Sequence, residues 1–555
     1  MRIDTPVRAV IVAAALALFA AAAVAAGGVA AAESPPPTTP VDEEPDDTEV
    51  EDGRTVPSEQ VPFGVRTLYR SDDVDRPSGG ENVTVAVIDT GVDTDHPDLE
   101  SRVSLCRDFT GESVTDTCED RNGHGTHVAG TVAADGGDDG NGIYGVAPEA
   151  EVYAFKACTD DGRCGADPLA ESVRAATDEG ADIIVLSLGG REEPRISAAV
   201  AYATANGAAI IAASGNNGPE LGSILYPSAL NSTVSVGAVG PRRGQQVATD
   251  NYRVPDFSAR GVDAPFDPDA NERLEVAAPG VGVLSPVPDG DYRELSGTSM
   301  AAPHVAGLAA KLLGSPTPPE SISELRERLR ERAPTYDVTA GTHARGGYDP
   351  AAGFGIPTTA PPTANIGVDA DVPVADEPFS LVANISEADS QIATYEWDTT
   401  GDGSYDAVGE RVEVTHELGE SEAQLRVTDA DGKTTTVSRS VFVTDRPRVT
   451  IQAPATVIAG EQTRLNATVE NEAGDTTVTW TFPDGTTATG ETATYRFETG
   501  ESEVTATVED EHGATSTETL TVTATGPAED QGPAVSVAAA LAAVVLAVGL
   551  LRRRG

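Results

Sequence analysis

From Asn82 onward the chain alternates two textures. Short, almost wholly apolar runs, "VTVAVID" (83–89), "AEVYAFKA" (150–157), "ADIIVLSLG" (181–189), "AAIIAASG" (208–215) and "TVSVGAVG" (233–240), are separated by longer stretches with apolar residues at helical spacing, such as "LAESVRAATDEG" (169–180) and "RISAAVAYATANG" (195–207). A strand that is apolar on both sides must be covered on both faces, and the intervening helices supply that cover. The pattern predicts an α/β domain over residues 58–357, a mostly parallel sheet flanked by helices, whose last helix is "SISELRERLRERA" (321–333).

After "PTTAPPTAN" (357–365) the helical period vanishes, and threonine and valine alternate in short runs with glycine turns between them. This predicts two β-sandwich modules, residues 364–445 and 446–525. "LRVTDADGKTTTVSRSVFV" (425–443) and "VTATVEDEHGATSTETLTVT" (504–523) repeat one strand-turn-strand phrase, while "YEWDTTGDGSYDA" (395–407) and "VTWTFPDGTTATG" (478–490) resemble the aromatic strand and Asp-Gly turn of PKD-type immunoglobulin-like domains. Neither module carries clustered histidine, cysteine or a nucleophile, so a spacer or adhesive role is expected. The run Asp398, Asp402, Asp406 is similar to a calcium loop that lacks its closing glutamate.

The termini have their own patterns. Arg2 and Arg8 precede an apolar stretch from Ala9 to Ala26, and small residues Ala30, Ala31 and Ala32 come before Glu33, which reads as a signal peptide over residues 1–32, the alternative being an uncleaved membrane anchor since the apolar run is long for a signal core. Residues 33–57 are rich in proline and acid and read as a disordered linker. Residues 533–551 are apolar on all sides and are followed by Arg552, Arg553 and Arg554, as expected of a C-terminal transmembrane helix with its basic end in the cytoplasm. The expected location is therefore the outer face of the cell, anchored to the membrane by that helix.

Composition sharpens this picture. Acidic residues number 89 against 37 basic ones, a net charge of -52, which excludes nucleic acid as a partner. Lysine occurs only at Lys156, Lys311 and Lys433, and carboxylate excess with scarce lysine resembles the usage of salt-loving archaea. Four cysteines allow three pairings in an exported chain, and the sequence-local solution joins Cys106 to Cys118 and Cys158 to Cys164. No CxxC spacing favours a metal instead.

The chemistry begins at "LSGTSMAAPHVAGLAAKLL" (295–313), where Ser299 stands among small residues at the mouth of a helix. A hydroxyl nucleophile needs a base, a group to orient the base, and donors for the oxyanion. Asp89 ends an apolar strand at a glycine turn, His124 begins a helix in "NGHGTHVAG", and Asn216 follows another apolar strand in "SGNNG". Open α/β sheets gather ligands at such strand ends. The second oxyanion donor would be the N–H of Ser299, at the positive end of its helix.

In this order the motifs "DTG", "HGTHVAG", "SGNNG" and "GTSMAAPH" resemble those of the subtilases, the subtilisin-like serine peptidases, over about residues 58–357. The resemblance implies an Asp89-His124-Ser299 triad with Asn216 in the oxyanion hole, an acyl-enzyme intermediate and protein or peptide substrates. It further implies that Ser187, Leu188 and Gly189 in "LSLGG", and Ala213, Ser214 and Gly215 in "AASG", are extended edges that bind peptide by strand addition. Pro303 and His304 then serve helix packing. No cofactor is implied for the chemistry. A structural calcium is the ion the family suggests, with Asp98 at a frequent ligand position; Asp135, Asp138 and Asp139 are read as solvated acid. Only the acidic linker precedes "EQVPFGVRTLYRS" (59–71), so the expectation is a domain that folds without a structured propeptide. The alternative reading is an idle surface adhesin that binds through its β-modules. Oligomeric state has no sequence signal.

Overall fold

The computed structural model describes residues 29–31, 48–51, 54–57, 60–70, 74, 76–137, 140–241, 252–333, 348–471 and 474–526. They fall into two compact units. The first combines residues 1–367 with 382–412 and 424–438, and the second residues 368–381, 413–423 and 439–555.

In the first unit, the apolar runs pair as parallel strands: β1 (Thr84–Asp89), β2 (Val103–Asp108), β3 (Glu151–Lys156), β4 (Ile183–Leu186), β5 (Ala209–Ala213), β6 (Thr233–Pro241) and β7 (Val276–Pro279). Their order across the sheet is β2-β3-β1-β4-β5-β6-β7, every neighbouring pair being parallel, with Tyr252–Arg253 added antiparallel at the end of β6. From β1 the chain goes to the edge strand β2, returns through β3 to the side of β1, and then builds outward on its other side, so the order reverses beside β1. In open parallel sheets this reversal opens a crevice at the carboxyl ends of the strands.

Why both faces are apolar is visible in β1. Val85 and Val87 belong to one buried cluster, shared with Val128 and Val132 of α1 (His124–Ala133) and Met300 and Leu308 of α4 (Thr298–Leu313). Ala86 and Ile88 belong to another, shared with Leu169 and Val173 of α2 (Ala166–Asp178) and Ile196 and Val200 of α3 (Pro194–Ala205). Period-two alternation thus feeds two cores, one on each side of the sheet. Ile183 and Val185 of β4, against Ile184 and Leu186, repeat the division.

The disulfides are Cys106–Cys118 and Cys158–Cys164, the sequence-local pairing. Part of the expected disordered linker is ordered instead. Thr48–Glu51 and Arg54–Pro57 form an antiparallel hairpin, Thr48 opposite Pro57 and Glu51 opposite Arg54. The physical reason is in the sequence: an Asp-Gly pair between runs containing threonine and valine is a strong hairpin signal, and it outweighs the acidic composition. Val29–Ala31, at the end of the expected signal peptide, is a strand. The rest of that segment, most of the linker, and all of 533–551 lie outside the described residues. Among the described residues, no helix is long and apolar enough to cross a membrane.

The β-modules repeat a core device. In the first, Trp397 on strand Ile392–Asp398 is fully buried opposite Leu425 and donates its indole N–H to the Gly409 carbonyl (2.8 Å). In the second, Trp480 on strand Thr476–Thr481 donates to the Gly490 carbonyl (2.8 Å). The second module lays a sheet of Arg448–Gln452, Gln462–Glu470 and Thr492–Arg496, and a larger sheet led by Gly500–Asp510 and Thr515–Thr525, around a core containing Trp480, Leu465 and Phe497.

Helix α5 (Ile322–Glu331) is tied to the sheet by charge. Glu275, just before β7, is 1 % exposed and receives Arg326 through Nε and Nη2 and Arg330 through Nη1 (2.7 Å). Glu275→Ala leaves two guanidinium groups facing a buried void. Its expected cost is about 3–5 kcal/mol of unfolding free energy, measurable by denaturant titration of the full chain.

Candidate active site

The carboxyl end of β1 delivers Asp89, 1 % exposed, into the crevice. Its Oδ1 accepts the Thr90 N–H (2.7 Å) and stands 2.8 Å from His124 Nδ1. His124 is the first residue of α1 and is itself buried. The helix can come this close because residue 125 is glycine: a Cβ there would lie 2.1 Å from the Gly91 carbonyl oxygen and 3.1 Å from the Asp89 Cβ. Burial works against a charged imidazole at His124, but the carboxylates of Asp89 and Asp120 outweigh it and raise its pKa above the ordinary imidazole value.

With Nδ1 engaged, His124 Nε2 is the nitrogen left over. It is buried and makes no hydrogen bond, and the same is true of Ser299 Oγ. Helices α1 and α4, which carry the two groups, pack against each other. The arrangement therefore leaves a buried base and a buried hydroxyl without competing partners, a state from which hydrogen bonding tightens when substrate arrives.

Ser299 is the second residue of α4, where a helix N–H has no intrahelical acceptor. Its carbonyl accepts the Ser187 hydroxyl (2.8 Å), which ties α4 to the segment after β4. Asn216 lies beside it. The Asn216 Oδ1 accepts both the N–H (2.9 Å) and the hydroxyl (3.0 Å) of Thr298, and this orientation makes Nδ2 the donating end of the amide. Thr298 Oγ1 also accepts the Gly215 N–H (3.1 Å), so strand and helix hold the amide from both sides.

A residue that sequence reasoning missed organises the other half. Asp120 is 3 % exposed and accepts from Thr90 Oγ1 (2.9 Å), from the N–H groups of Asn122 (3.0 Å), Gly123 (2.9 Å) and Thr126 (2.9 Å), and from Thr126 Oγ1 (2.7 Å). Thr90 Oγ1 in turn accepts the Gly125 N–H (3.0 Å). One carboxylate thus joins the strand end bearing Asp89 to the helix start bearing His124. The available signal was its place in "DRNGHG", an acid four residues ahead of a helix start, where it can cap amides.

The two histidines nearby do different work. His127 is fully buried, its Nε2 2.8 Å from the Val283 carbonyl and 3.1 Å from that of Arg293, and burial lowers its pKa to about 3. His304 is likewise neutral: burial lowers its pKa to about 4, and its Nδ1 donates to the Met300 carbonyl (2.8 Å) within α4.

The two expected substrate edges differ in what their backbone already meets. Leu188–Gly189 pairs antiparallel with the chain's own Val29–Ala31, Ala30 opposite Gly189 and Ala31 opposite Leu188. The other side of Val29–Ala31 pairs with Arg163–Cys164. A three-stranded ribbon results, with the N-terminal segment in the middle. At Ala213–Gly215 the backbone is already used: Ser214 N–H donates to Val236, Ser214 O accepts from Leu225, and Gly215 O accepts from Ala259. This corrects the expectation of a second strand-adding edge. Ala213, Ser214 and Gly215 can only wall the site, because a sheet edge needs unpaired N–H and C=O groups.

Asp98 is buried and its Oδ2 accepts the Ile143 N–H (2.9 Å). Among the described residues no group of three acidic, histidine or cysteine side chains gathers to hold a metal, and Asp138 and Asp139 lie outside them. Asp135 is engaged instead by Ser101 and Arg102. The Asp398 run serves backbone turns: Asp398 accepts N–H groups of Gly401 (2.7 Å) and Gly403 (2.7 Å), and Asp406 accepts the Thr399 hydroxyl (2.9 Å).

Residues 80–355 match the subtilase family and residues 444–524 match the PKD domain. The chain is 44% identical over 311 residues to a subtilisin of Bacillus sp. (strain TA39), covering 54% of this chain and 73% of that relative. It is 39% identical to subtilisin DY of Bacillus licheniformis over 50% of this chain and 92% of that one. Among solved structures, sphericase aligns with a TM-score of 0.51 and 42% identity, covering 55% of this chain and 99% of its own. On the sheet order, the site and these likenesses together, the chain belongs to the subtilase family and is a serine endopeptidase.

Proposed function

We propose that Asp89, His124 and Ser299 form the catalytic triad and that the protein hydrolyses peptide bonds at the outer face of the cell. The observation that carries this reading is the 2.8 Å contact of His124 Nδ1 with a buried Asp89, while His124 Nε2 and Ser299 Oγ are both buried without a hydrogen-bond partner. In the proposed cycle Ser299 Oγ attacks the scissile carbonyl while Nε2 takes its proton. The imidazolium formed is stabilised by Asp89, whose Oδ1 accepts the Nδ1–H. The oxyanion accepts hydrogen bonds from Asn216 Nδ2 and the Ser299 N–H, aided by the start of α4. His124 then protonates the leaving amine, and water, deprotonated by the same nitrogen, resolves the acyl-enzyme.

Substrate enters as a strand along Leu188–Gly189. The seating of Val29–Ala31 between that segment and Arg163–Cys164 supports this mode, since it places an extended peptide of small aliphatic residues where strand addition requires one. The reaction is composed of side chains and backbone amides alone. A structural calcium beside Asp98 would add stability and no chemistry. Export is supported by two disulfides and by the leader-like first 32 residues, and anchoring by the apolar segment 533–551.

Three measurements test the proposal. A fluorophosphonate probe should label the wild-type chain and fail to label Ser299→Ala; absence of label on the wild type would refute the nucleophile. Asn216→Ala should lower kcat by about 10²- to 10³-fold with little change in KM, and unchanged turnover would remove Asn216 from the oxyanion hole. The acid limb of kcat/KM should lie above the ordinary imidazole value, because His124 must be neutral and both Asp89 and Asp120 favour its protonated form. Asp120→Asn deletes one of these charges, so the limb should move to lower pH, with kcat lower by on the order of 10- to 100-fold from misplacement. A kcat loss without movement of the limb would leave Asp120 a purely structural brace.

A further inference from the structure

Helix α4 carries Ser299 at one end and Lys311 at the other, and Lys311 has no exposure to solvent. A buried ammonium persists only with a partner. Its Nζ donates to the Ser78 carbonyl, lies 4.8 Å from the Tyr69 ring centroid, and stands 3.0 Å from Asp431 Oδ2, both side chains of that pair being wholly buried. Asp431 lies 120 residues further along the chain, in the turn Asp429–Lys433 of the first β-rich module, and also accepts the Ser78 hydroxyl (2.8 Å).

The contact extends around this pair. Lys433 Nζ donates to the Thr359 carbonyl (2.6 Å), and Arg332, at the end of α5, holds Asp389 (2.7 Å). Water is scarce there: burial pushes the Lys433 ammonium down to about 8 and the Asp429 carboxyl up to about 6. The chain has three lysines, and two of them meet at this place.

The second module supplies an internal control. Its corresponding turn is Asp510–Ala514. Both turns close in the same way: Asp429 N–H donates to Lys433 O (3.0 Å) and Asp510 N–H to Ala514 O (2.9 Å). The Asp429 side chain accepts from Asp431 N–H (3.0 Å) and Lys433 N–H (2.8 Å), and the Asp510 side chain from His512 N–H (3.0 Å) and Ala514 N–H (2.7 Å). Gly432 and Gly513 both sit at positive φ, 77° and 95°. The residues the turn demands are common to both. Asp431 and Lys433, which the turn does not demand, are replaced by His512 and Ala514 in the second copy.

We propose that the Asp429–Lys433 turn is a docking plug for the catalytic domain, in which Asp431 neutralises Lys311 on the nucleophile-bearing helix. The first β-rich module is then a structural part of the peptidase, in place of the spacer or adhesive role expected of it, and the peptidase reaches full stability only with the plug seated.

The test uses the full-length chain carrying Ser299→Ala, which removes self-cleavage from the outcome, and reads the thermal midpoint and the protection of segment 357–362 from added thermolysin. Asp431→Asn should lower the midpoint by about 5–10 °C and make that segment cleavable, since Lys311 is left as an unpaired buried charge. Adding Lys311→Met should recover at least half of the loss and restore protection. If Asp431→Asn cannot be obtained folded, a folded double variant supports the proposal, and failure of both overturns it. An unchanged midpoint with retained protection in Asp431→Asn, or no recovery in the double variant, also overturns it. None of these readouts measures catalysis, so their failure leaves the assignment of the triad untouched.

Discussion

The hydrogen bond between a buried carboxylate and an imidazole, Asp89 to His124, is the constraint around which the catalytic unit is built. One oxygen of Asp89 serves both the Thr90 N–H and the imidazole, in a place that solvent scarcely reaches. Such a bond is strong and directional because no water competes for it, and it leaves Nε2 as the imidazole nitrogen without a partner. The surrounding structure can be read as its support. The sheet brings the end of β1 to the point where strand order reverses, Gly125 lets the helix backbone approach within contact distance, and Asp120 fastens helix start to strand end.

Ser299 is held by a different logic. The start of its helix is fixed by neutral hydrogen bonds from Ser187 and through Thr298 to Asn216. Neutral donors suit a place where negative charge develops only transiently, since they need no counter-ion when the site is empty. The far end of the same helix is pinned ionically, by Lys311 and Asp431. One helix thus links the end bearing Ser299 to a contact with the first β-rich module, and its small residues, Ala301, Ala302, Ala306, Ala309 and Ala310 among them, are all buried in the core between those ends.

Much of this was legible in the amino-acid order. The α/β pattern, the strand ends carrying Asp89 and Asn216, the helix starts carrying His124 and Ser299, and the sequence-local cysteine pairs all depend on short-range periodicity or on motifs a few residues long. The two aromatic-strand motifs likewise appear as two equivalent tryptophan cores, Trp397 and Trp480. What was misread also has short-range causes. Residues 33–57 were read as disordered from their acidic, proline-rich composition, although Thr48–Glu51 and Arg54–Pro57 pair as a hairpin. Ala213–Gly215 looked like an edge because it is extended and small, but its amides and carbonyls already have partners from β6, from Thr298 and from the loops bearing Leu225 and Ala259.

The sequence by itself determined the elements, their apolar faces and the chemical types at their ends, because these depend on residues within a turn or two of one another. The tertiary structure decided the partners: which carboxylate braces His124, which strand pairs with Leu188–Gly189, and which acid answers Lys311 from 120 positions away. Those choices turn on burial, which makes an unpaired polar group costly, and burial is a property of the packed chain rather than of any stretch of it.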